Sequence, residues 1–188
     1  MKAGPGAALL RVPVFREGFI IHMLNIVLHE PEIPSNTGNI GRTCVASGTA
    51  LHLIHPLGFA LSEHNLKRAG MDYWKRLNVS EYGSYRDFLG KNPGARIWYA
   101  TTKGRKTYAE ADFRDGDFIM FGKESAGIPE EILIEHPERC IRIPMLAEER
   151  SLNLANSVAI VLYEALRQND FPGLQGEGQL HRLKWKEI

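Results

Sequence analysis

Short β-type runs alternate with helix-patterned segments along this chain, and that alternation constrains its fold more than any other feature. The runs are LNIVLH (24–29), LHLIHP (51–56), RIWYAT (96–101), DFIMFG (117–122) and CIRIP (140–144). Each is rich in branched or aromatic residues and bounded by turn formers, which is the signature of a strand. Helix candidates cover 38–48, 62–69, 84–90, 129–136 and 151–168. Strands without a polar face, separated by helices, imply a parallel sheet covered on both sides. The predicted class is therefore α/β, a parallel sheet flanked by helices. At 188 residues and 44% hydrophobic content the chain can build one domain with a sizeable core.

Residues 1–22 read as a disordered N-terminal extension, because arginines and a glutamate interrupt any signal-like core before it forms. Met23 stands directly before the first strand. Residues 23–172 form the expected domain, and 173–188 a tail rich in glycine and charge. No apolar run reaches the roughly 18–20 residues that span a bilayer, so no membrane partner is expected. Cys44 and Cys140 are too few and too far apart for a disulfide framework or a zinc site. The histidines lack ligand spacing, so no metal is expected, and the expected compartment is a reducing cytoplasm. With 23 Lys+Arg against 22 Asp+Glu the net charge is +1, which does not announce a nucleic-acid binder but leaves room for a local basic patch.

The last helix candidate, SLNLANSVAIVLYEALRQ, is apolar over most of its circumference. Asn153, Ser157, Glu164 and Arg167 or Gln168 form only a narrow polar stripe. Such a helix must be covered on more than one side, by the sheet and either a partner subunit or the rest of its own chain. Asn153 and Asn156 stand out within it, since buried amides need partners.

Three polar loops each follow a strand: EPEIPSNTGNIGR (30–42), FGKESAGIPEEI (121–132) and IPMLAEERSLNLANS (143–157). In parallel sheets ligands bind at the carboxyl ends of strands, so the three loops can converge on one site. In the first, prolines and glycines read as turn punctuation, which leaves Asn36, Asn39 and Arg42 unexplained. In the second, Gly122 and Gly127 permit sharp turns, and Pro129 suits a helix start. In the third, Ser151 reads as the N-cap of the last helix. The dinucleotide fingerprint, the phosphate loop and the serine-hydrolase elbow are all absent, which disfavours a nucleotide-dependent oxidoreductase. HNLKRAGMDYWKRL (64–77) and TTKGRKTY (101–108) interleave Lys67, Arg68, Lys75, Arg76, Lys103, Arg105 and Lys106 with Tyr73, Trp74 and Tyr108. Basic groups beside aromatic rings suit RNA, although solvated helix faces have the same composition.

Together the three loops resemble the three motifs of the SPOUT RNA methyltransferases, from about Leu24 to Phe171. IPSNTGNIGRTC is similar to the first motif, FGKESAGIP to the second and IPMLAEERSLNLANSVAIVLYEALRQ to the third. LNIVLHEPEIPSNTGNIGR, RAGMDYW and TTKG further resemble the subfamily that methylates the ribose of wobble nucleotide 34, cytidine or uridine, in tRNA. The resemblance implies a deep C-terminal trefoil knot, S-adenosylmethionine as methyl donor, a homodimer packed through the last helix, and a tRNA substrate, a leucine tRNA being expected. A related activity on ribosomal RNA or another tRNA position is the alternative, and a non-catalytic RNA-binding protein on the same fold is a further one.

By position, the resemblance puts the cofactor against Ala100, Thr101, Gly122, Ile143, Met145, Ser151 and Leu152. It makes Arg42 the candidate catalytic residue, with Asn36, Glu124 and Asn153 in its network. A guanidinium is a poor base, so Arg42 is expected to position the target phosphate or 2′-oxygen and to stabilise developing negative charge. Glu124 is expected to orient Arg42 or the third loop. Asn39, Lys67, Arg68, Lys103, Arg105 and Tyr163 are the expected RNA contacts, Tyr163 being equally explicable as interface packing.

Overall fold

The computed structural model describes residues 24–60 and 72–186. Among them runs a sheet of seven strands: β1 (Asn25–His29), β2 (Ala50–Ile54), β3 (Val79–Tyr82), β4 (Ile97–Ala100), β5 (Lys106–Thr107), β6 (Phe118–Phe121) and β7 (Cys140–Arg142). Their order is β3-β2-β1-β6-β4-β7-β5 and every pairing is parallel. The helices are α1 (Pro34–Ser47), α2 (Tyr85–Lys91), α3 (Glu130–Leu133) and α4 (Leu154–Gln168), and a 3₁₀ turn covers Asp72–Arg76.

Successive strand residues point to opposite faces, and both faces are dry. Ile26, Leu28, Leu51 and Leu53 join Ile40 and Cys44 of α1 and Val158, Val161 and Leu162 of α4 in one core cluster. Val27, Ile54, Tyr99 and Met120 join Phe88 of α2 and Leu133 of α3 in the other. That arrangement explains the continuous apolar runs, since a strand covered on both sides has no polar face to display.

The five expected strands are present, each shorter than its run. β3 and β5 were not expected, because VSEY is half polar and Lys106–Thr107 is only a two-residue edge pairing. α1 starts at Pro34, not at residue 38: proline is tolerated in the first turn, so Pro34, Ser35, Asn36 and Thr37 also lie on the helix. The expected helix over 129–136 shortens to α3, followed by a 3₁₀ turn at Pro137–Arg139. The N-cap of α4 is Asn153, not Ser151; its Oδ1 accepts the amides of Ala155 at 2.9 Å and Asn156 at 3.3 Å. The extension over 1–22, the helix expected over 62–69, and Lys67 and Arg68 lie outside the described residues.

Two features of the topology position the site. β1, β2 and β3 build outward in one direction, and β6, β4, β7 and β5 lie on the other side of β1, so strand order reverses at β1. Second, β7 sits between β4 and β5, and residues 101–105 must cross it. The Thr101 amide donates to the Ile141 carbonyl at 2.8 Å. At Gly104 a Cβ would lie 2.8 Å from the Ile141 carbonyl carbon, so only glycine allows the crossing segment to lie this close.

Candidate active site

The loops after β1, β4, β6 and β7 enclose a cavity of about 320 Å³ at the carboxyl edge of the sheet. Ala100, Thr101, Gly122, Ile143, Met145, Ser151 and Leu152 all line it, as do Asn36, Glu124 and Asn153. Sequence reasoning missed Ile33, Lys123, Ser157 and Val161, which also line it. Ile33, Lys123 and Ser157 neighbour a strand end or a helix start that a motif already marks, whereas Val161 faces the cavity from the middle of α4.

The loop after β6 is shaped by glycine. A Cβ on Gly122 would lie 1.9 Å from the carbonyl carbon of Gly127, so the chain doubles back through a space no side chain could share. Gly127 takes a left-handed φ of 72°, and Lys123 and Gly127 form an antiparallel bridge. This tight turn projects Lys123, Glu124 and Ser125 at the loop after β1. Lys123 Nζ pairs with Glu30 at 3.0 Å, and Ser125 donates to Glu32 through both its amide and its hydroxyl. Those two bonds hold the Glu32 carboxyl below the usual carboxylate range.

Glu124 does the most binding. α1 has no side-chain cap of its own. The Glu124 carboxylate accepts the amides of Glu32 at 2.8 Å and Ile33 at 3.3 Å, and the side-chain amide of Asn36 at 2.9 Å. A carboxylate at a helix N-terminus also meets the positive end of the helix dipole. Asn36 Oδ1 in turn accepts from Asn153 Nδ2 at 3.0 Å, and Asn153 caps α4. One chain of hydrogen bonds thus joins the second loop, the start of α1 and the start of α4. Of the two roles expected for Glu124, orienting Arg42 or the third loop, no contact with Arg42 is made; the carboxylate is spent on backbone amides and on Asn36, which in turn holds Asn153 at the end of the third loop. Nor are Asn153 and Asn156 buried within this chain, for both are exposed at the start of α4.

Arg42 does not line the cavity. It lies six residues beyond Asn36, about 9 Å further along α1, on an exposed face shared with Ser35, Asn39 and Ala46. Its guanidinium carbon stands 5.0 Å from the centroid of the Tyr73 ring. The other aromatics of the basic segments are not free to stack on RNA: Trp74 and Tyr108 pack against the core. Lys103 is paired with Glu130 at 3.0 Å, whereas Lys75, Arg76 and Arg105 are exposed. On α4, Tyr163 is 45% and Ile160 38% exposed, on the same side of the helix.

The cavity combines apolar walls from Phe121, Ile141, Ile143, Met145 and Leu152 with a few convergent polar groups, the make-up of a site for a nucleoside-sized ligand. The close approach of backbone at Gly122 is what a site built largely from main chain requires. Among the described residues no group of histidine, cysteine, aspartate or glutamate side chains could hold a metal ion, and no helix is long and apolar enough to cross a membrane.

A family model described as the SpoU rRNA methylase family matches residues 23–163. The tRNA (cytidine(34)-2′-O)-methyltransferase of Escherichia coli strain K12 is 49% identical over 152 residues, 80% of this chain and 97% of its own. A solved structure described as giving insight into the 2-OH methylation of C/U34 on tRNA superimposes with a TM-score of 0.74 at 49% identity, covering 79% of this chain and 97% of that one. The AdoMet-bound rRNA methyltransferase from Sinorhizobium meliloti superimposes with a TM-score of 0.68 at 26% identity, over 77% of this chain and 56% of that one.

Proposed function

The chain belongs to the SpoU rRNA methylase family, and from that premise we propose that it transfers a methyl group from S-adenosylmethionine to the ribose 2′-hydroxyl of nucleotide 34, cytidine or uridine, in tRNA, a leucine tRNA foremost. The observation that carries the reading is the cavity at the carboxyl edge of the sheet. All seven residues expected to hold the cofactor meet there, in a chain 49% identical to an enzyme named for that reaction. When bound, the cofactor supplies an electrophilic methyl on a sulfonium. Ala100, Gly122 and Ile143 would offer it backbone groups, and Met145 and Leu152 apolar walls.

The chain's own task is to orient the ribose hydroxyl and to exclude water. Asn36, Glu124 and Asn153 hold the loops of the cavity at fixed distances, so their role is positioning. Arg42, exposed beside the site, presents a planar set of donors to the target phosphate or 2′-oxygen and stabilises negative charge as it develops. Asn39, Lys75, Arg76, Lys103 and Arg105 extend a basic surface for the tRNA backbone, which makes binding salt-sensitive. The insertion of β7 between β4 and β5, with 101–105 crossing it, supports a trefoil knot in which the segment after β7 passes beneath that crossing. The exposed Ile160 and Tyr163 support a homodimer through α4. The cytoplasm, where tRNA is found, is the compartment this reading requires.

The test is methyl transfer to total tRNA from a strain lacking the gene, followed by mapping of the modified nucleoside. Methylation at nucleotide 34 is expected, and Arg42→Ala should lower turnover by about 10²-fold or more. Methylation of ribosomal RNA or of another tRNA position, or none, overturns the reading.

A further inference from the structure

The 3₁₀ turn at Asp72–Arg76 lies along the flank of α1 and meets it at Gly38, Gly41 and Arg42. We infer that Tyr73 is the positioning residue for Arg42, its ring carrying the guanidinium while its hydroxyl ties that ring to the turn of α1 from which Arg42 projects. The inference rests on the reading that Arg42 acts in methyl transfer.

Arginine has many rotamers, and a guanidinium that must meet one oxygen has to be held. Among the residues whose side chains are described, none is ion-paired with Arg42, and its neighbours on the exposed face, Asn39 and Ala46, are short. The contact recorded for it is the Tyr73 ring, at 5.0 Å from the guanidinium carbon. A guanidinium has five donors, so one seated over a phenol ring and engaging its oxygen keeps others for a substrate oxygen.

The ring is itself held. The Tyr73 hydroxyl donates to the Gly38 carbonyl at 2.6 Å. In helix geometry that carbonyl is the one that accepts the Arg42 amide, so the ring is registered to the turn that carries the arginine. The next residue secures the turn: a Cβ on Gly41 would lie 2.9 Å from Trp74 Cζ3 and 3.2 Å from Leu77 Cδ2. Glycine in mid-helix is unfavourable, and here it lets Trp74 lie flat on α1. Leu77 is buried and Trp74 packs on the core, so the turn has a fixed seat from which Tyr73 reaches out. Burial lifts the Tyr73 phenol above its ordinary value against the opposing pull of Arg42, so it acts as a neutral donor and a ring rather than as a base.

The experiment compares Tyr73→Leu and Tyr73→Phe in the full-length wild type and in Arg42→Ala, by single-turnover methyl transfer with tRNA at saturation. Binding of S-adenosylhomocysteine is measured by calorimetry alongside. Tyr73→Leu should lose roughly 10- to 100-fold in rate, with cofactor affinity unchanged and no further loss when Arg42 is already alanine. Tyr73→Phe keeps the ring and should lose less, again only when Arg42 is present. Wild-type rate in Tyr73→Leu, or an equal loss with and without Arg42, overturns the inference. If Tyr73→Leu does not fold, the same comparison with Tyr73→Phe decides it. Full activity of Arg42→Ala removes the premise and the inference together, whereas an inactive Arg42→Ala with no coupling to Tyr73 overturns the inference alone.

Discussion

His52 lies in the middle of β2, 7% exposed, with both ring nitrogens bonded. Nδ1 stands 2.8 Å from the Tyr82 hydroxyl and Nε2 3.1 Å from Asn25 Oδ1. A carbonyl oxygen can only accept, so the proton sits on Nε2 and Tyr82 donates to Nδ1. Protonating the ring would put a second donor against that hydroxyl in a dry site. Desolvation accordingly lowers its pKa from the ordinary 6.5 to about 4. Above pH 6.5 the ring is neutral folded and unfolded, and the folded state keeps its full stability. As the pH falls towards 4 the unfolded chain takes up a proton that the folded chain refuses, so stability declines. Urea denaturation at pH 7 and pH 4.5 should register a loss of about 2–3 kcal/mol from this residue, absent in His52→Gln. Desolvation lowers the pKa of His29 as well and adds to the decline in the same direction.

At the scale of elements, what holds the site together is the supply of hydrogen bonds to helix starts. α1 depends on a carboxylate 91 residues away for the Ile33 amide, and α4 depends on Asn153, which is itself bonded to Asn36. Glu124→Ala leaves the amides of Glu32 and Ile33 and the Asn36 side chain without their acceptor. It should cost about 1–3 kcal/mol in urea denaturation, and Glu124→Gln, which keeps one acceptor oxygen, should cost less. The same variants should weaken S-adenosylhomocysteine binding in calorimetry, since the network lines the cavity. The motif around 36–42 was legible as a functional stretch, and the helix expected from 38 covers its second half; what was not legible is that the helix begins four residues earlier. Pro34 sits in the first turn, where proline is tolerated, and Gly41 lies where Trp74 packs closely on the helix.

For the whole molecule, the exposed side of α4 bears directly on assembly. Ile160 and Tyr163 remain 38% and 45% exposed on a helix whose other side is fully buried. Ile160→Glu places a charge at the centre of that surface. Sedimentation should find the wild type at twice the chain mass and Ile160→Glu at the mass of one chain. A wild type that sediments as a single chain would remove the dimer. The crossing of 101–105 over β7 belongs to the same scale. It depends on a glycine at residue 104 and on a strand entering between two others.

The sequence by itself determined the α/β class, five of the seven strands and the three site loops, and its resemblance to a known family pointed to the seven residues that line the cavity. The class, the strands and the loops follow from local patterning, because a strand buried on both faces must be apolar throughout and a loop at its carboxyl end must be polar. Only the tertiary structure decided that β7 enters between β4 and β5, that Glu124 binds the start of α1 rather than Arg42, and that Arg42 stands outside the cavity against Tyr73. Each of those contacts joins residues far apart along the chain. Local propensity carries no information about which distant carbonyl or ring a side chain will meet; that is settled by the packing of the whole sheet and its helices.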